Sequence, residues 1–109
     1  MRLKKGPGII TKRDYSSDCP EGTWNGRLDG KAWGKQARHR GARTLNLYFT
    51  ELESGKKFVI SVYWARYNGY WPVQGGVDFT KEADPGESFT LWTGKTNHGK
   101  TYLGIAKKL

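Results

Sequence analysis

Cysteine is nearly missing from this chain. Cys19 stands alone, so no intrachain disulfide and no cysteine-rich metal site can be built. Aliphatic bulk is also short: hydrophobic residues are 36% of the 109, below the usual globular share, so the core must rest on a few large side chains. No apolar run approaches the ~20 residues that carry a helix across a bilayer. The basic start Met1-Arg2-Leu3-Lys4-Lys5 runs into Gly6-Pro7-Gly8, not into the apolar stretch of a secretion signal. A cytoplasmic protein that makes no membrane insertion is the expectation these absences set. Acids are scarce too. Ten Asp and Glu face nineteen Lys and Arg, for a formal net charge of +9 and a pI near 9.8. That balance favours a polyanionic partner, nucleic acid before an acidic membrane, because no basic amphipathic helix is legible. Histidine is limited to His39 and His98. No His/Cys/Asp cluster has metal-ligand spacing, so neither metal nor other cofactor is expected.

What is present is glycine, with 15 residues, and aromatics, at 14%. Glycine serves the turns and bulges of sheets. The stretch Leu45–Trp71 organises the rest. Leu45, Leu47 and Phe49 alternate with Asn46, Tyr48 and Thr50. After the turn Ser54-Gly55-Lys56-Lys57, the set Phe58, Ile60, Val62 and Trp64 alternates with Val59, Ser61, Tyr63 and Ala65. Period-2 alternation marks half-buried strands, here a hairpin with Tyr48 and Tyr63 on its outer face. Thr23–Leu28 reads as an earlier strand closed by an Asp29-Gly30 turn, and Lys31–Arg43, which has no acid, as a basic loop. Pro72 keeps the Tyr67–Val73 region off a central strand. One helical turn is legible over Thr80–Ala83, followed by a turn at Asp84–Glu87. Ser88–Thr93 reads as a fourth strand, with Phe89 and Leu91 inward and Trp92 outward. A basic turn, Gly94–Lys100, leads to a fifth strand with Leu103 and Ile105 inward and Tyr102 outward. Residues 1–20 lack any period and read as a flexible basic arm, and residues 21–109 as one domain.

Gly94–Thr101 matches the phosphate-loop pattern GxxxxGK[ST], which needs a helix to follow. Strand-like Tyr102–Ile105 follows instead, so nucleotide hydrolysis is rejected. Acid–base cleavage of RNA by His39 and His98 is an alternative with no further support in the sequence. The domain is therefore expected not to be an enzyme. What remains is basic and aromatic residues interleaved: a ring stacked on a base is worth about 1–3 kcal/mol for any sequence. Parity assigns Trp24, Trp64, Phe49, Phe58 and Phe89 to the core. It leaves Tyr48, Tyr63 and Trp92, with Trp33 and Trp71 in loops, as stacking candidates. Lys35, Arg38, Arg40, Arg43, Lys95 and Lys100 are the candidates for neutralising phosphates.

The order strand, basic loop, strand, tight hairpin, strand, long connection, strand, basic hairpin, strand resembles the oligonucleotide-binding (OB) barrel. The resemblance covers residues 22–107 as a pattern of elements, and it is nearest to the small single-stranded-DNA-binding proteins of phages and plasmids. It implies an all-β, five-stranded OB-like barrel whose sheet face on strands 2 and 3 lies between the loops Lys31–Arg43 and Gly94–Lys100. It also implies a sequence-tolerant binder of single-stranded nucleic acid, most simply DNA. The connection Tyr67–Glu87 departs from it by lacking a solid helix, which leaves an SH3-like or other small barrel open. A protein-interaction or regulatory module of a mobile element would use the same aromatics as anchors for a protein partner. A glycan-binding module would also use a Trp/Tyr platform, but does not call for the charge.

Overall fold

The computed structural model describes residues 11–36, 43–65, 69–70 and 77–109. The chain is all-β, as the alternation predicts. Its strands are β1 (Gly22–Gln36), β2 (Arg43–Glu51), β3 (Lys57–Ala65), the two-residue β4 (Gly69–Tyr70), β5 (Ser88–Lys95) and β6 (Thr101–Lys108). They form one antiparallel sheet in the order β4-β3-β2-β1-β5-β6. β1 is central because it is long: residues 22–27 pair with β5 and residues 26–36 with β2. Three successive strands with a later one returning beside the first make a Greek key. The sheet curls until β3 and β6 meet, but no ladder joins them, so "barrel" holds only loosely.

Three register shifts interrupt the ladders, one of them between Trp33 and Gln36 near the end of β1, and the other two reset the alternation of the described side chains. Leu28 pairs with Phe49 and Gly30 with Tyr48, which leaves Asp29 as an extra residue in β1. The expected Asp29-Gly30 turn is therefore a bulge. Its cause is the Asp29 carboxylate, buried on the sheet and accepting hydrogen bonds from Tyr15 Oη (2.9 Å), Thr50 Oγ1 (2.5 Å) and Arg27 Nε (3.0 Å). A bulge keeps the strand going where a turn would end it. Lys31–Gln36, expected as the start of a basic loop, consequently belongs to β1, and residues 37–42 lie outside the described set. The second bulge lies in the β5–β6 ladder. Trp92 pairs with Ile105 and Thr93 with Leu103, leaving Gly104 over. Leu103 packs on the core as expected. Ile105, expected inside, turns out to 42% exposure, and Ala106 takes the inner place.

The core is aromatic, as the shortage of aliphatics requires. Phe49 meets Trp24, Phe79 and Phe89 edge-on, with centroids 6.1, 6.1 and 6.3 Å away, and Trp24 also meets Phe58 at 5.5 Å. Edge-to-face geometry suits the ring quadrupoles. The buried Trp24 Nε1 donates to Thr93 Oγ1 at 2.8 Å, and that hydroxyl donates to Pro20 O, so no polar group here is stranded. The expected helical turn is a single tight turn: Glu82 N–H reaches Asp78 O at 2.7 Å, and the Glu82 carboxylate accepts from Asp78 N–H at 2.8 Å. This turn drops Phe79 and Ala83 into the core, fully buried.

Residues 11–20, expected as part of a flexible arm, instead form a strap over the seam between β3 and β5–β6. Ser16 bridges Phe58 through Ser16 N–H to Lys57 O and Val59 N–H to Ser16 O. At the other side Thr101 Oγ1 donates to Ser17 O, Lys95 pairs with Asp18, and Pro20 O holds Thr93. Satisfied backbone groups and buried side chains order a segment whatever its composition. Cys19 belongs to the strap and buries its thiol against the sheet, at 3% exposure. Burial pushes its thiol up to about 11 from 9.0, and burial followed by the bond to Asp29 raises the Tyr15 phenol above its ordinary value. Both groups favour their protonated form when folded. The Cys19 contribution is thus complete below pH 9 and lost as pH climbs toward 11, whereas that of Tyr15 begins to be lost only above pH 10. We expect slow native labelling of Cys19 by a thiol reagent at pH 8, and a urea midpoint that drops between pH 9 and 11. Fast native labelling at pH 8 would show the strap open.

Candidate nucleic-acid interface

At Tyr48 the outer face of β2–β3 is covered, not open as expected, while Asn46 and Ser61 on the same face stay accessible. Tyr48 is buried at 4% exposure, with the Tyr15 ring edge-on at 5.0 Å. Lys57 Nζ lies 5.5 Å from the centre of the Tyr15 ring, closing the cover. The strap covers the sheet here, and the buried Tyr48 offers no ring face for stacking. For Tyr63, Lys35 and Arg43 the strand backbone is described and the side chains are outside the described set; Arg38, Arg40 and Trp71 lie wholly outside it. Trp33 is 44% exposed and, past the first bulge, shares a side with Leu45, its cross-strand partner.

Trp92 stands on the outer face, partly exposed, as parity requires. Its neighbour is Tyr102, 42% exposed, with ring centroids 5.8 Å apart at 60°. Glycines make this pair possible. A methyl group on Gly104 would fall 2.6 Å from the Trp92 ring, and one on Gly94 would fall 2.8 Å from the Tyr102 ring. Each ring therefore lies against bare backbone and is fixed in place while part of it meets solvent. Ile105, opposite Trp92, extends the apolar surface. Lys107 follows on the same side, exposed and opposite Thr90. On β1 the row Thr23, Asn25 and Arg27 is exposed, with Thr23 beside Trp92 and Asn25 beside Thr90. Thr90 Oγ1 donates to Asn25 Oδ1 at 2.8 Å, which ties the two strands across this face.

Charge is distributed unevenly. All ten acids fall within residues 14–29, 51–53 and 78–87, so β5, its hairpin and β6 carry Lys95, Lys100, Lys107 and Lys108 with no acid. Lys95 is engaged: it pairs with Asp18, which raises the lysine and lowers the carboxyl from their ordinary values. It serves the strap first. Lys100 and Lys107 are exposed and make no ion pair among the described residues, whereas Lys108 faces Glu87 at 3.4 Å. The phosphate-loop match is a hairpin turn and leads into no helix. Thr96 Oγ1 accepts from Lys100 N–H at 3.1 Å and His98 N–H at 3.3 Å, filling the turn with its own side chain.

Among the described residues no group of His, Cys, Asp and Glu could hold a metal ion, and no helix is long and apolar enough to cross a membrane. His98 is exposed in the turn, and His39 lies outside the described set. Sequence reasoning singled out Trp92 and Lys100, which lie accessible on this hairpin, and did not single out Ile105 and Lys107 beside them. The Gly104 that turns Ile105 outward was the signal available. Comparisons with protein-family models, curated proteins and solved structures give no match for this chain.

Proposed function

We propose that this domain binds single-stranded nucleic acid, most simply DNA, with little sequence preference. The observation that carries the reading is the Trp92–Tyr102 pair, seated on Gly104 and Gly94 in an acid-free hairpin. Half-exposed rings fixed on backbone offer bases a stacking surface prepared before binding, and any base has a face to stack. Lys100 and Lys107 supply cations at its margins. The proposal includes membership of the OB class, a partly open Greek-key barrel. It moves the contact surface from the β2–β3 face to the β5–β6 hairpin and the adjoining face of β1.

Titration with a labelled oligo-dT strand at low and moderate salt tests it. Binding is expected to quench tryptophan emission. Each phosphate neutralised should add about −0.7 to the slope of log K against log salt. Absence of binding at low salt would overturn the reading. The second reading, a protein partner, is favoured by Ile105, an aliphatic side chain exposed beside the two rings. It predicts tight association that salt hardly changes.

A further inference from the structure

We infer that the bound strand leaves the Trp92–Tyr102 platform along the outer face of β1 and ends on the strap, where Lys12 and Arg13 neutralise its phosphates and Tyr15 holds them in position. The inference rests on the proposed single-strand binding and assigns its path. Three observations lead there. Thr23, Asn25 and Arg27 form an exposed row that starts beside Trp92 and ends at the Asp29 bulge, where Arg27 Nε reaches the carboxylate at 3.0 Å. Four residues of strand span about 13 Å, the length of a few nucleotides. At the far end Tyr15 donates to the same carboxylate at 2.9 Å, with Lys57 Nζ at its ring. Just before Tyr15, one turn of 3-10 helix, Lys12–Asp14, is closed by Tyr15 N–H to Lys12 O at 3.0 Å. Lys12 and Arg13 are exposed there and make no ion pair among the described residues.

The alternative path, across β2–β3, meets Tyr15 seated over Tyr48 at the end of that face nearest the Asp29 bulge. Arg27, 48% exposed, gives the far end of the row its positive charge although it shares Asp29. A basic segment that dangled would add phosphate contacts only at an ordering cost. Anchoring by Tyr15 removes that cost before the ligand arrives.

The test is the salt dependence of oligo-dT binding by full-length Lys12→Gln/Arg13→Gln and Tyr15→Phe variants, with Trp92→Ala alongside. Losing two phosphate contacts should reduce the magnitude of the log–log slope by about 1.4, with tryptophan quenching at saturation unchanged. Tyr15→Phe keeps the ring on Tyr48 and loses only the bond to Asp29. It should flatten the slope in the same direction, and the triple variant should bind like the double one. A wild-type slope in the double variant, while Trp92→Ala weakens binding, would overturn the path and leave the single-strand reading standing. A wild-type slope in Tyr15→Phe alone would remove Tyr15 as a positioning residue. Failure of the unaltered protein to bind would remove both readings together.

Discussion

Phe79→Ala is expected to lower the unfolding free energy by about 3–5 kcal/mol, read as a fall in the urea midpoint at unchanged slope. For a domain whose total stability is about 5–15 kcal/mol, that approaches loss of the fold. Phe79 lies in the connection between β3 and β5, where surface position is the ordinary expectation. Yet it is fully buried, with the Phe89 ring 5.3 Å and the Phe49 ring 6.1 Å away. Its neighbours sit on paired strands and cannot collapse into the space it would vacate. The connection is fastened from the other side as well, because Lys31 Nζ donates to Phe79 O at 2.8 Å. A loss below about 1 kcal/mol, the scale of a surface change, would mean that the connection is only laid over the core.

Local pattern was a good guide where partners are neighbours in sequence. Leu45, Leu47, Phe49, Phe58, Ile60 and Val62 are buried as their alternation dictates, and so are Trp24, Phe89 and Leu91. The features that could not be read depend on contacts far along the chain. The Asp29 bulge answers to Tyr15, fourteen residues earlier, and to Thr50, twenty-one residues later. Asp-Gly marks an irregularity, but only those partners make it a bulge instead of a turn. The strap has no period because its order comes from the edges it bridges, and reading it as a free arm is what left Tyr48 uncovered on paper. Phe79 shows the same limit: a lone aromatic in a turn-rich stretch gives no sign of where it will be buried. For the site, Trp92 was legible from parity alone. Its setting was not, since Gly94 and Gly104 act through rings that a cross-strand register brings to them.

Trp92→Ala is expected to weaken oligo-dT binding by about 1–3 kcal/mol, roughly 5- to 150-fold. Reading that loss as stacking requires a companion that leaves the indole in the protein, and Gly104→Ala provides it. The added methyl would lie 2.6 Å from the Trp92 ring, with backbone beneath it, so the ring must leave its seat. If a fixed ring is what binds, Gly104→Ala should lose much of the affinity that Trp92→Ala loses, although every aromatic and every charge is retained. Tyr48→Phe serves as the opposing control. Tyr48 is buried under Tyr15, so removing its hydroxyl should leave affinity unchanged. Wild-type affinity in Trp92→Ala would remove stacking at this hairpin. Affinity lost in Trp92→Ala but kept in Gly104→Ala would mean that the indole matters while its seat does not. The two glycines would then serve only to let large rings pack on a twisted hairpin, an ordinary way of covering glycine in a sheet.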